Sequence, residues 1–69
     1  MKQVKIITEY ITLGQLLKFL GIVSSGHEVK QFLNDETVFV NGEQEQRRGR
    51  KLYKDYQVLV KGVLYIIDG

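Results

Sequence analysis

The sequence predicts a small α+β domain in which two short helices pack on a small, mostly antiparallel sheet, in the order β-α-α-β-β-β. Three observations predict it: two helix-start patterns followed by apolar residues at helical spacing, an Asn-Gly turn after a β-branched segment, and two later short strands. The 69 residues contain no cysteine and no proline. We therefore expect one domain over residues 1–69, held together by core packing alone.

The first two elements are a strand and a helix. The β-branched, partly alternating residues 4–7 predict the strand. Thr12 and Gln15 then form a T-x-x-Q capping pattern, and Gly21 is placed to end the helix that follows. Between them, apolar residues at i, i+3, i+4 and i+7 predict one stripe facing the core, made of Leu13, Leu16, Leu17 and Leu20.

The next two elements are a second helix and a strand. Ser25 and Glu28 repeat the capping pattern, and the apolar residues after them predict a helix that ends near Asn34 or Asp35. Residues 37–40 are β-branched and aromatic, which predicts a strand. The turn after it, Asn41-Gly42, is typical of a type I′ hairpin, whose two central residues both need positive φ.

A loop is expected from this turn to about Tyr56, and a second hairpin closes the domain. Its strands are predicted at 58–60 and 63–67, on either side of Lys61-Gly62. We expect a single core between the helix pair and the sheet, made of Leu13, Leu16, Leu17, Leu20, Val29, Phe32, Leu33, Val38, Val40 and Val58.

The positive charge of the chain is concentrated in residues 46–54, here called the basic segment. The segment carries +5 and no acid, whereas the whole chain carries +2, so the remaining 60 residues sum to −3. A basic patch on a mildly acidic body is typical of nucleic-acid binding. The five cations are Arg47, Arg48, Arg50, Lys51 and Lys54.

The alternative for the basic segment is a solvated surface turn, which charge runs usually are. Three of its cations are arginines, whose planar guanidinium can bind two phosphate oxygens at once, and this favours phosphate binding. Gly49 lets the backbone bend between Arg48 and Arg50. Tyr53 and Tyr56 are either stacking surfaces for bases or residues of the core.

The start of the second helix is a weaker candidate for phosphate binding. Ser25 and Gly26 leave N–H groups that a phosphate could accept from, and Lys30 lies one turn further on. These residues would extend the basic surface if the fold brings that helix face beside the basic segment. Because all these charges are expected to be exposed, we expect them to contribute little to folding.

Catalytic chemistry has thin support. Ser24, Ser25 and His27 stand close together, but Ser25 is already explained as a cap and no third group is available to orient a base. Asp35 and Glu36 are ordinary acids for a helix-to-strand corner. No glycine-rich nucleotide motif matches, and a lone histidine without cysteine does not make a metal site. We therefore expect a non-enzymatic protein with no cofactor and no metal.

Membrane insertion and secretion also lack support in the sequence. No apolar run approaches the roughly 20 residues of a membrane span. The first residues lack the apolar region and cleavage site of a secretory signal. We expect a cytoplasmic monomer.

The run from Leu13 to Val60 resembles the S4 RNA-binding domain, a module named after a small-subunit ribosomal protein. The resemblance lies in two helices, "TLGQLLKFLGIVSSG" and "HEVKQFLNDETV", the turn "VFVNGE" and the strand "YQVLV", and it spans about residues 12–60. It implies two helices on a small sheet, with RNA bound across the helix pair and the adjoining loop. "NGEQEQRRGRKLY" further resembles the small stand-alone bacterial members called YaaA-like proteins, often encoded beside the recombination protein RecF.

Two positions depart from that family. Many S4 domains carry an arginine at the start of each helix as principal RNA contacts, where this chain has Thr12-Leu13 and Ser25-Gly26. The basic segment would then replace the missing arginines. The resemblance implies structured RNA, with ribosomal RNA among the candidates, as the partner of Lys30, Arg47, Arg48, Arg50 and Lys51, and we add Lys54, Ser25 and Gly26 as further contacts.

Two other classes of function stay open. A DNA-binding or protein-docking role linked to recombination is one, because phosphate contacts alone do not distinguish RNA from DNA. The other is a β-grasp sulfur carrier, which "TVFVNGE" and a terminal glycine resemble. Those carriers use a terminal Gly-Gly, whereas this sequence has Asp68-Gly69.

Overall fold

Two helices and seven strands make up the protein, described over residues 1–69 by a computed structural model. In chain order they are β1 (Lys2–Lys5), β2 (Tyr10–Thr12), α1 (Leu13–Phe19), α2 (Gly26–Asp35), β3 (Val38–Val40), β4 (Glu43–Gln44), β5 (Lys51–Tyr53), β6 (Gln57–Val60) and β7 (Val63–Asp68). Neither helix has the length and apolar character that crossing a bilayer requires.

The strands form two sheets. The larger has the order β1-β7-β6-β3-β4, and all its neighbours are antiparallel except β1 and β7, which pair in parallel with Val4 opposite Ile67. This confirms the predicted α+β class with a mostly antiparallel sheet. The smaller sheet is a two-stranded ribbon of β2 and β5, with Ile11 opposite Leu52. The sequence patterns predict neither strand: β5 lies within the loop expected up to about Tyr56, and β2 lies between the predicted strand at 4–7 and the first helix.

Both helices begin at the predicted N-cap residue, but the side-chain hydrogen bonds at the two starts differ. At α1, Gln15 N–H donates to Thr12 Oγ1 (3.3 Å) and Thr12 N–H donates to Gln15 Oε1 (2.9 Å), a complete capping box. At α2, Glu28 N–H donates to Ser25 Oγ (3.3 Å). The Glu28 carboxylate does not return to the backbone; it accepts from the hydroxyl of Ser24 instead.

Both hairpin turns have two consecutive residues with positive φ, which confirms the type I′ conformation predicted for Asn41-Gly42. Asn41 and Gly42 have φ of 52° and 84°, and Lys61 and Gly62 have φ of 50° and 78°. Two consecutive positive φ angles are the signature of a type I′ turn. Asn41 Oδ1 also accepts a hydrogen bond from Gln57 N–H (2.9 Å), which ties the first turn to β6.

The core lies between the helix pair and the larger sheet, as expected. Of the ten predicted core residues, eight are buried, and Leu20 and Phe32 are partly buried at its edge. Six further residues complete the core, because β1, the linker between the helices, β5 and the last two strands also cover it: Val4, Ile6, Val23, Leu52, Val60 and Ile67.

Candidate nucleic-acid interface

The backbone of the basic segment is hydrogen-bonded to the first turn of α1. Leu13 N–H donates to the carbonyl oxygen of Arg50, and Gly14 N–H donates to that of Arg48, each at 2.9 Å. The first N–H groups of a helix have no partner within the helix, so the segment supplies acceptors that this turn needs. The arginine-rich part of the segment is therefore held at the start of α1.

Gly14 permits this close approach. A Cβ atom at this position would lie 3.3 Å from the Arg48 carbonyl oxygen and 3.4 Å from Val29 Cγ1. The first distance is tighter than ordinary van der Waals contact and the second is at its lower limit, so a larger residue would force the Arg48 backbone to shift. The glycine thus brings three parts of the chain together: α1, α2 and the basic segment.

A buried carboxylate organises the side chains of two arginines. Glu45 is only 7% exposed, and its N–H donates to the Val38 carbonyl of β3 (2.8 Å). Its carboxylate accepts from Arg47 Nε and Nη2 (both 3.1 Å) and from Arg50 Nη1 (2.8 Å). The backbone N–H groups of Gln46 and Arg47 donate to it as well, so its oxygens are fully used.

This network changes the acidity of Glu45. Hydrogen bonds from the Arg47 side chain, opposed by burial and reinforced by Arg50, lower the pKa of Glu45 to about 2 from its ordinary 4.5. The same contact with Glu45 raises the pKa of Arg47 and of Arg50 above their ordinary value. All three groups stay charged across the physiological range.

The expectation that the basic charges contribute little to folding did not take account of Glu45. This acid stands one residue before the basic segment and pairs with Arg47 and Arg50, so removing either arginine would leave a buried carboxylate short of a partner. The Arg47 side chain is still 76% exposed, whereas that of Arg50 is 27% exposed. Arg48, Lys51 and Lys54 have no acidic partner and are the free cations of the segment.

We expect Glu45→Gln to lower the free energy of unfolding at about pH 7 by about 1 to 3 kcal/mol, toward the lower end because water screens the exposed Arg47. The folded pKa of Glu45 is below its ordinary value, so its contribution is present above about pH 4.5 and is lost as the pH falls toward 2. Urea unfolding of both proteins from neutral pH down to about pH 3 should therefore show a shrinking difference. Glu43→Gln removes an exposed carboxylate from β4 and is the control; an equal effect of both changes would contradict the special role of Glu45.

Arg48 connects the basic segment to both helices. Its Nη1 donates to the Gly26 carbonyl oxygen in the first turn of α2 (3.4 Å). A groove of about 250 Å³ lies there, lined by residues of α1, α2 and the segment, among them Lys18, Gly26 and Arg48. The sequence analysis missed Lys18. Its position three residues after Gln15, off the leucine stripe, was a signal that it would be exposed beside the helix start.

The exposed face of α2 continues this surface. Lys30 lies one helical turn after Gly26 and lines a groove of about 350 Å³ with His27, Gln31 and Asn34. Ser25 is less available, because its hydroxyl accepts the capping hydrogen bond and lies 3.5 Å from a carboxylate oxygen of Glu28. That carboxylate would repel a phosphate approaching Ser25.

Lys54 lies apart from the other candidates. It follows β5 at the end far from Arg50, and a Cβ atom on Gly69 would lie 3.9 Å from the Lys54 Cβ. The next residue, Asp55, donates its N–H to the Ile67 carbonyl oxygen of β7 (2.7 Å). The structure therefore brings Arg48 to the start of α2 and groups Arg47, Arg50 and Lys51 around a second groove. It leaves Lys54 at the opposite end of the ribbon.

Comparison with known proteins identifies similar sequences. The family model described as S4 domain matches residues 4–68, a range that includes both helices and the whole basic segment. A relative from Bacillus subtilis (strain 168), described as a probable ribosome maturation protein RlbA, is 48% identical over 59 residues. The aligned residues are 86% of this chain and 83% of the relative.

Proposed function

Because the chain belongs to the S4 domain family, we propose that it is a non-enzymatic protein that binds structured RNA through its phosphates. The proposed contacts are Arg47, Arg48 and Lys51 of the basic segment, with Lys30 on α2. Arg50 is assigned a supporting role because most of its guanidinium is turned toward Glu45 and Tyr56. We propose the cytoplasm as its location and ribosomal RNA as its target.

One observation carries this proposal: Arg48 of the basic segment lies beside the start of α2, the helix that carries Lys30. Arg48 is hydrogen-bonded to α2 through Gly26, and the backbone on either side of it is tied to α1. Lys30 follows on the same helix. A surface that spans a loop and a helix can follow consecutive phosphates, whereas a mobile charged turn would lose more entropy on binding.

The name of the relative supports the choice of ribosomal RNA. A protein 48% identical to this chain is described as a probable ribosome maturation protein. Structured RNA presents its phosphates in a fixed arrangement, which a cationic surface held by the fold can match. The salt titration described next also tests DNA as the alternative ligand.

We expect the logarithm of the binding constant for a structured RNA to fall with the logarithm of the salt concentration. If about four to six phosphates are contacted, the slope should be about −3 to −5, because each neutralised phosphate releases condensed counterions. The measurement is a salt titration with a ribosomal RNA hairpin and a DNA duplex of equal length. Equal affinity for both would mean that charge alone is recognised, and a slope near zero would contradict phosphate binding.

A further inference from the structure

The outer face of the β2–β5 ribbon combines aromatic and basic side chains. Tyr10 is opposite Tyr53 and Thr12 is opposite Lys51, so these four share one face of the ribbon. Leu52, between them, is fully buried on the other face. Leu52 therefore packs in the core, and the outer face of the ribbon is free to contact a ligand.

The Tyr53 ring is exposed but held in place. The residue is 36% exposed, and the ring centroids of Tyr10 and Tyr56 both lie 5.7 Å from the ring centroid of Tyr53. The two neighbouring rings are inclined to it by 48° and 63°, which are tilted and edge-to-face arrangements. A ring fixed in this way loses little conformational entropy when a ligand stacks on it.

Cations surround this aromatic cluster. Lys51 Nζ lies 5.0 Å from the Tyr10 ring centroid, and Arg50 Cζ lies 5.9 Å from that of Tyr56. A groove of about 400 Å³ runs between them, lined by Arg47, Gly49, Arg50, Lys51, Tyr53 and Tyr56. No acidic residue lines it.

We infer that this groove is a site for one unpaired RNA base, which stacks on Tyr53 while its flanking phosphates bind Lys51 and Arg47. The inference rests on the proposed function and extends it from phosphate binding to recognition of an unpaired nucleotide. The groove adjoins the one beside Arg48, because Gly49 lines both, so an RNA held by the basic segment would pass beside it.

The chemistry of the groove favours a base over other ligands. A flat aromatic ring with cations beside it matches a planar base attached to a phosphate, and stacking tolerates any of the four bases. A base within a duplex is covered on both faces by its neighbours, so only a bulged or looped-out nucleotide offers a free face. The site therefore requires structured RNA with an unpaired nucleotide rather than a perfect duplex.

The test compares an RNA hairpin that carries one bulged nucleotide with the same hairpin lacking it. The wild type should prefer the bulged hairpin by about 5- to 150-fold, the effect of one base stacked on an aromatic ring. Tyr53→Leu should lose this preference while keeping the salt slope, because no charge is removed. Tyr53→Phe keeps the aromatic ring and should retain most of the wild-type preference for the bulged hairpin. Phe19→Leu removes another exposed aromatic side chain, at the end of α1, and is the matched control.

A second measurement does not depend on the stability of the leucine variant. The chain has no tryptophan, so Tyr53→Trp introduces a single tryptophan, which can be excited apart from the remaining tyrosines. Saturation with the bulged hairpin should quench its emission more strongly than saturation with the fully paired one. Equal emission in both complexes would overturn the base site.

The outcomes separate this inference from the proposed function. Steep salt dependence with no preference of the wild type for the bulged hairpin would remove only the base site. The same conclusion follows if Tyr53→Leu weakens binding of both hairpins equally. Failure of the wild type to bind either hairpin would remove the proposed function, and the base site with it.

Discussion

Replacing Lys30, Arg48 and Lys51 together by glutamine should flatten the salt slope of RNA binding by about two to three units. Each lost phosphate contact removes about 0.7 to 0.9 of a unit. If the affinity extrapolated to about 1 M salt is unchanged, binding at about 0.1 M salt should weaken by about 100- to 1,000-fold. The measurement is a salt titration of the triple variant beside the wild type with one RNA hairpin.

These three cations are chosen because the fold does not depend on their charge. None of them has an acidic partner, whereas Arg47 and Arg50 are bound to the buried Glu45. Removing the latter pair would mix a loss of binding with a loss of stability. The triple variant should therefore unfold at nearly the same temperature as the wild type, since exposed charges contribute little to folding.

A matched variant separates local contacts from net charge. Lys2, Lys5 and Lys61 are exposed, two on the edge strand β1 and one in the turn before β7. Replacing them by glutamine removes the same three charges, so both variants change the net charge from +2 to −1. We expect the control to keep the wild-type slope. An equal loss in both variants would show that only the overall charge attracts RNA.

The parts of the fold that could be predicted are those specified by neighbouring residues. Thr12 and Gln15 form two hydrogen bonds with each other, so the capping pattern contains both partners. Asn41-Gly42 adopts the two positive φ angles that its turn requires. The leucine stripe of α1 follows from helical geometry alone. In each case the determining contact spans at most a few residues, so the sequence contains the whole signal.

The ribbon and the Glu45 network could not be predicted in the same way. Strands β2 and β5 have three residues each, too few for a periodic pattern, and they pair across about 40 positions of sequence. In the sequence, Glu45 is one acid within a polar stretch. Only the pairing of β3 with β4 places its carboxylate beside the arginines. Its burial is a tertiary property, because acids are rarely buried unless they are paired.

The candidate interface was predicted in composition but not in arrangement. The cations of the basic segment were identifiable from charge alone. The hydrogen bonds that tie Arg48 to Gly26 and to Gly14 depend on how α1 and α2 pack, and no local pattern indicates them. The same packing places Lys18 on the groove beside Arg48 and leaves Lys54 at the far end of β5.

Leu17→Ala should lower the free energy of unfolding by about 2 to 5 kcal/mol. The Leu17 side chain is fully buried in the core between α1 and the sheet, and truncation leaves a cavity that the rigid surroundings fill only partly. A domain of this size has about 5 kcal/mol or little more in total, so a large fraction of the variant would be unfolded at the upper end. Urea unfolding monitored by circular dichroism measures the change.

Phe19→Ala is the matched control for this core substitution. Phe19 is on the same helix and loses more atoms on truncation, but it is 67% exposed, so we expect a change within about 0.5 kcal/mol. Equal losses at both positions would mean that helix propensity rather than core burial sets the effect.

RNA provides a further test, because a ligand that binds only the native state stabilises it by about 2.7 kcal/mol at 100 times its dissociation constant. Adding the hairpin should therefore restore much of the free energy of unfolding that Leu17→Ala loses. If it does not, the native fold does not bind this RNA.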